Sequence, residues 1–304
     1  MALRQMEQLP YQALYAAAFA FLAARPWDTL SEDDVFAVQN PEDGELQFVR
    51  ITGREGDQCE LTIFSGVRGL DALWSLSNTP DKTFVSDICC DVSGLCFAAV
   101  PKGMLDSVDR DIVAALTLPE TFDGNYPVFR SLRPGYYPAH LKPGEIGLLT
   151  QVLNQATVIV REIQGGTLSL VVTPGQEDDY VARLSSKNEQ GVITWRTERV
   201  TMVLDELLPR PTPTWDGELQ AAIIAKPVGP QELRLELLLA PPDLSQADED
   251  GAAPVTYVFL VSDHRSRKPL CAQIAVPGAS LPEFRQGLPV VLLELLERLP
   301  KRPR

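Results

Sequence analysis

The sequence predicts an α+β fold made of two domains, each an antiparallel sheet packed by helices. Three observations carry that expectation. Apolar and polar residues alternate over short runs such as Leu233, Leu235, Leu237 and Leu239 against Arg234 and Glu236, the period-two mark of a half-buried antiparallel strand. Elsewhere apolar residues recur with helical spacing, as at Val108, Ile112, Val113 and Leu116, the stripe of an amphipathic helix. The chain has 304 residues, of which 45% are hydrophobic and 22% charged, a globular composition with material for about two cores of ordinary size.

The first helix is expected from about Pro10 to Ala24, with Leu14, Phe21 and Leu22 facing the core and Pro26 ending it. Its apolar run follows Arg4, but Glu7 and Gln8 intervene and the run is alanine-rich, so it reads as a core helix rather than a signal peptide. Strands around Val35–Val38, Leu46–Thr52 and Cys59–Ile63 form a meander, with turns at Asn40–Gly44 and Gly53–Asp57. Gly66 and Gly69 bracket the passage into a helix carrying Leu70, Leu73 and Trp74. Two further strands are expected at Thr83–Ile88 and Leu95–Val100. Asp106 is an N-cap with Asp109 in the first turn of a helix that Pro119 ends.

Composition shifts between Pro119 and Gly144, where Asn125-Tyr126-Pro127 and Arg133-Pro134-Gly135-Tyr136-Tyr137-Pro138 hold too much Pro and Gly for regular structure. The expected domains are therefore residues 1–125 and 145–304, joined by a Pro/Gly/Tyr linker over 126–144. The second half should open with a helix from Glu145 to about Val160, with Leu149, Val152, Leu153 and Ala156 on one stripe. Strands are expected at Leu168–Val172, Val192–Arg196, Glu218–Ile224 and Leu233–Leu239. An exposed loop over Pro241–Pro254 precedes a hairpin of Val255–Ser262 with Cys271–Val276. The last helix starts at a capping box, Ser280 with Glu283, and Pro289 is expected to kink or split it.

Trp27-Asp28-Thr29-Leu30, Asp34-Val35-Phe36-Ala37-Val38, Phe48–Gly53, Gly56, Ile63-Phe64-Ser65-Gly66 and Gly69-Leu70 together resemble the first module of an uncharacterised bacterial family. In that family a Pro-Gly-Tyr-Tyr-Pro-like segment, here Pro134–Pro138, and a second domain of unknown function follow. The resemblance implies an α+β fold and a bacterial source. It implies no activity and transfers no catalytic residue.

A net charge of -14 and a pI near 4.6 oppose binding to nucleic-acid backbones and to anionic membranes. Cys59, Cys89, Cys90, Cys96 and Cys271 are odd in number and irregularly spaced, which fits buried thiols in a cytoplasmic protein rather than a disulfide framework. With only His140 and His264 present, acid–base and zinc chemistry have few carriers.

Cys89-Cys90 with Cys96, and His264 with Cys271 across the hairpin, read as apolar thiols and a polar turn rather than a metal site or a nucleophile–base pair. Acids at Glu32-Asp33-Asp34, Asp106/Asp109/Asp111, Glu177-Asp178-Asp179 and Asp248-Glu249-Asp250 lie where turns and helix N-termini favour them. Gly66, Arg68 and Gly69 stand at a strand-to-helix junction suited to a small anion. Tyr136, Tyr137, Arg133 and Phe129, with Tyr126 and Arg130, form an aromatic and basic cluster suited to a protein partner. The favoured function is thus a non-enzymatic binding or regulatory protein acting through protein contacts, with no cofactor, no catalytic residue and no metal ligand assigned. The alternatives are a carboxylate- or metal-dependent hydrolase, with Asp87 or Asp91 near other acids in a cleft, and a small-anion-binding protein.

Overall fold

The computed structural model describes residues 5–53, 59–77, 92–119, 124–171, 178–204, 212–230, 232–248, 251–277 and 281–302. They fall into two compact units, the first ending near residue 208 and the second formed by 209–304 together with 133–137. The expected strand at Thr83–Ile88, the Cys89-Cys90 pair, Asp87 and Asp91, and the Ser280 cap lie outside the described residues.

The first unit contains α1 (Gln5–Ala23), β1 (Phe36–Gln39), β2 (Leu46–Thr52), β3 (Glu60–Ser65), α2 (Gly66–Ser77), β4 (Gly94–Pro101), α3 (Ser107–Leu116), β5 (Asn125–Leu132), α4 (Pro143–Gln164), β6 (Asp179–Lys187) and β7 (Ile193–Thr201). Its seven strands run in the order β5-β4-β3-β2-β1-β6-β7. Neighbours are antiparallel except β1 and β6, which pair in parallel from Phe36↔Val181 to Val38↔Arg183. Side chains on a strand alternate between faces, so β2 sends Val49 and Ile51 to one side and Phe48 to the other. Val49 and Ile51 join Leu14 and Phe21 of α1 and Leu149, Val152 and Leu153 of α4 in the larger core. Phe48 meets Leu70 and Leu73 of α2 on the opposite face. The meander, the α2 stripe and the α4 stripe match the sequence reading.

β5 occupies the first part of the expected linker. Its Pro127 lies opposite Ala99 of β4. Ser131 of β5 exchanges both backbone hydrogen bonds with Ala139, on the side away from β4, at 2.7 and 3.0 Å. Pro127 has the same parity as Ser131, so its missing N–H belongs to the outer edge and the β4–β5 ladder loses nothing. Reading that proline as a breaker was therefore an error. The unit division near residue 208 also differs from the expected boundary, because β6 and β7 complete the first sheet.

The second unit contains α5 (Gly217–Ala225), β8 (Leu233–Leu239), β9 (Tyr257–Asp263), β10 (Pro269–Ala275) and α6 (Leu281–Glu297), with its three strands in the order β10-β9-β8. The expected hairpin is present as β9–β10. Glu218–Ile224 is helical rather than extended. The Asp216 side chain caps it by accepting from the amides of Glu218 and Leu219 at 2.9 and 3.0 Å, and such a cap outweighs an apolar run with no clear period. Residues 168–171 form no strand, and α6 continues through Pro289 as one element. Both units thus keep the predicted α+β character, with helices packed against each sheet. No described helix is long and apolar enough to cross a membrane.

Candidate metal centre

Asp106 and Asp109 come together because they start α3. The Asp106 carboxylate accepts from the Asp109 amide at 2.9 Å, and the Asp109 carboxylate accepts from the Asp106 amide at 3.4 Å, a reciprocal box that satisfies two otherwise unpaired helix-end donors. The pair sits one turn apart on one helix face. Asp109 is only 3% exposed, whereas Asp106 is open to solvent.

β5 and the segment beyond it supply the other members. Arg130 Nη1 and Nη2 donate to the two Asp109 carboxylate oxygens at 3.0 and 2.6 Å, and Nη2 also reaches Asp106 at 3.1 Å. His140 follows Ala139, which the Ser131 bridge fixes against β5. A further clasp holds that segment: the Ser131 hydroxyl donates to Glu145 at 2.8 Å, and Glu145 accepts from the Lys142 amide at 2.7 Å. His140 Nε2 then lies 3.0 Å from Asp106 Oδ2, and Nδ1 lies 3.9 Å from Asp109 Oδ1. One ligand atom each from Asp106, Asp109 and His140 falls within 4.8 Å of the other two. This half-buried cluster can coordinate a metal ion.

The electrostatics follow from the neighbours. Burial alone would push the Asp106 carboxyl up. The amide hydrogen bond from Asp109 and the nearby His140 and Arg130 more than offset this, and its pKa is lowered. Tyr15 of α1 packs edge-on to Phe129 with ring centres 5.0 Å apart. Burial pushes its phenol well up, and the Asp109 charge adds to the effect. Cys96 lies opposite Arg130 on β4. Its thiol is also pushed well up, first by burial and then by Glu60, to which Sγ donates at 3.4 Å. The converging ligand atoms come from Asp106, Asp109 and His140, and Cys96 is not among them.

The residues singled out in the sequence have other placements. Phe129 is 5% exposed and belongs to the larger core, so it is not available to a partner. Arg133 pairs with Asp248 at 2.7 Å and lies over the Tyr136 ring at 4.6 Å. The Tyr137 amide donates to Ala253 at 2.9 Å, and its ring packs with Val255 and Tyr257. The tyrosine segment is therefore a stitched part of the second unit, with Tyr136 and Tyr137 half-buried. At the expected anion site, Gly66 has φ +63°, and a β-carbon there would lie 2.4 Å from a Glu45 carboxylate oxygen. A carboxylate already stands beside this helix N-terminus and repels a second anion, while Arg68 is exposed. Cys271 Sγ points at the Leu295 carbonyl at 3.8 Å, and His264 sits in an exposed turn with its amide donating to Glu232. Nothing in this geometry builds a nucleophile–base pair.

The sequence reading had Asp106 and Asp109 as capping acids, which they are, and placed Arg130 and His140 in a linker. Capping spacing was the only local signal. The convergence needs β5 to bring Arg130 under α3, 21 residues from Asp109.

Neither the curated proteins nor the solved structures contain a match to the chain. The domain of unknown function DUF7309 matches residues 11–183, a span that runs from α1 into β6 and includes every member of the cluster. With more than half of its length in that match, the chain belongs to the DUF7309 family.

Proposed function

We propose that the first unit binds one divalent transition-metal ion through Asp106, Asp109 and His140, and that the protein is a metal-dependent hydrolase. The supporting observation is the convergence of three ligand atoms within 4.8 Å of one another. Ligand bonds of about 2.0–2.2 Å place the donors of a shared ion about 3–4.4 Å apart, a spacing this cluster reaches with small side-chain movements. Two carboxylates and one imidazole favour Zn²⁺, Mn²⁺ or Fe²⁺ over Mg²⁺ and Ca²⁺, which prefer all-oxygen shells. Three protein ligands leave a coordination position for water, as in hydrolytic rather than structural zinc sites, and a bound ion would acidify that water. The exposure of Asp106 leaves the site open on one side.

Arg130 pairs with both carboxylates and offsets one of their two charges. An incoming ion would share these carboxylates with the guanidinium, since each carboxylate oxygen has more than one lone pair.

The test is a thermal shift of the full chain with Zn²⁺, Mn²⁺ or Mg²⁺. An ion present at a hundred times its Kd stabilises by about 2.7 kcal/mol, or about 5–10 °C for a unit of this size. Zn²⁺ or Mn²⁺ should give that shift and Mg²⁺ much less, and His140→Ala should abolish it. An unchanged melting temperature with every ion, or an equal shift in His140→Ala, removes the metal reading. Metal-stimulated cleavage of p-nitrophenyl phosphate or acetate tests the hydrolase; a protein that binds the ion but cleaves neither, nor other activated esters, contradicts that half.

A further inference from the structure

The two sheets have four edge strands, β5 and β7 in one and β8 and β10 in the other. Open edges invite pairing with another chain, and proteins blunt them with proline, charge, bulges or cover. β5 carries Pro127 and is bridged by Ala139. β7 places Arg196, Glu198 and Arg199 along its length. β10 begins with Pro269 and a register shift before Cys271. Among the described residues, β8 has no proline, bulge or cover, and its only charges are Arg234 and Glu236.

Five of the seven residues of β8 are leucine, and none is proline or lysine. Its register with β9 runs unbroken from Leu233↔Asp263 to Leu239↔Tyr257. The Ala240 amide donates to Thr256 and the His264 amide to Glu232, both at 2.8 Å. By the alternation of antiparallel ladders, even-numbered residues of β8 therefore bond to β9, and the amides and carbonyls of Leu233, Leu235 and Leu237 face the open edge. Among the described residues, none forms a hydrogen bond to that edge. Leu235 is 49% and Leu238 46% exposed.

The geometry points to a second copy of this chain pairing along that edge, β8 against β8 about a two-fold axis at Leu235. The charge pattern selects this occupant. Arg234 and Glu236 flank Leu235 on the other face of the strand, with Nη2 and Oε1 2.7 Å apart. In an antiparallel pairing centred on Leu235, outward-facing residues meet outward-facing residues. Arg234 of each copy then stands opposite Glu236 of the other in a non-hydrogen-bonded pair, where side chains are closest. The strand is thus self-complementary in backbone and in charge, as an isologous interface requires. The result is a six-stranded sheet continuous across the two copies.

Sedimentation velocity of the full chain across a micromolar dilution series tests the pairing. The wild type should form a concentration-dependent dimer. Arg234→Glu sets glutamate against glutamate twice and should weaken the dimer about thirtyfold. Combining it with Glu236→Arg reverses both pairs and should restore the wild-type constant, which a misfolded variant could not do. Leu235→Pro removes an amide that β9 does not use and should leave a folded monomer by circular dichroism. A wild type that stays monomeric throughout the series would overturn the proposal. So would a dimer indifferent to both the charge reversal and Leu235→Pro.

Discussion

Replacing Arg130 by methionine should destabilise the first unit more than any other single loss of charge among the described residues. The guanidinium makes two hydrogen bonds to Asp109, at 3.0 and 2.6 Å, and one to Asp106 at 3.1 Å. Without it, an Asp109 carboxylate that is 3% exposed keeps its charge with far less compensation. Removing one partner of a fully buried ion pair costs about 3–5 kcal/mol. The Arg130 side chain is 22% exposed, so solvent takes up part of the loss, and about 2–3 kcal/mol is the better figure. That corresponds to a fall in melting temperature of about 5–10 °C. Urea denaturation followed by circular dichroism, on metal-free protein, reads the effect. Adding Asp109→Asn to Arg130→Met should recover at least half of it, because no buried charge is then left without its partner and Asp106 is open to solvent. A single variant within about 0.5 kcal/mol of wild type would refute the reasoning, as would a double variant less stable than Arg130→Met.

Two further outcomes follow from the packing and charge of the same unit. Gly94→Ala should destabilise strongly, because the added carbon would lie 1.8 Å from the Ile63 carbonyl oxygen, and backbone in a paired strand cannot yield cheaply; a melting temperature within a degree or so of wild type would contradict the close approach. The Asp106 carboxyl, with its pKa lowered in the fold, stabilises fully above its unfolded value of about 3.9 and loses that effect as pH falls through the folded value. The stability gap between wild type and Asp106→Asn should therefore be present at neutral pH and close on acidification below about pH 4. A gap independent of pH would show that the charge contributes nothing.

Much of the fold was legible because local patterns were strong. The α4 stripe of Leu149, Val152 and Leu153, the alternation in β3 and β8, and the Asp106 cap all read correctly. The failures have physical reasons. Pro127 looked like a breaker, yet it occupies an edge position whose N–H no neighbour needs. Glu218–Ile224 carries no usable period, and its state was decided by the Asp216 cap. β6 joins β1 through a long-range parallel pairing that no turn signal announces. The cluster was half legible: helix capping explains Asp106 and Asp109, but their meeting with Arg130 and His140 depends on β5 and on the Ser131–Ala139 bridge. An error in one strand therefore hid the site. The aromatic segment was read from residue types alone, which gave no sign of the backbone bonds and packing that join it to its own unit.

Anomalous scattering from crystals grown with saturating Mn²⁺ or Zn²⁺ tests the metal centre most directly. One strong peak is expected about 2.0–2.3 Å from a carboxylate oxygen of Asp106, one of Asp109 and a ring nitrogen of His140. A map with no peak there would show that the cluster is a helix cap with its counterion and not a metal centre.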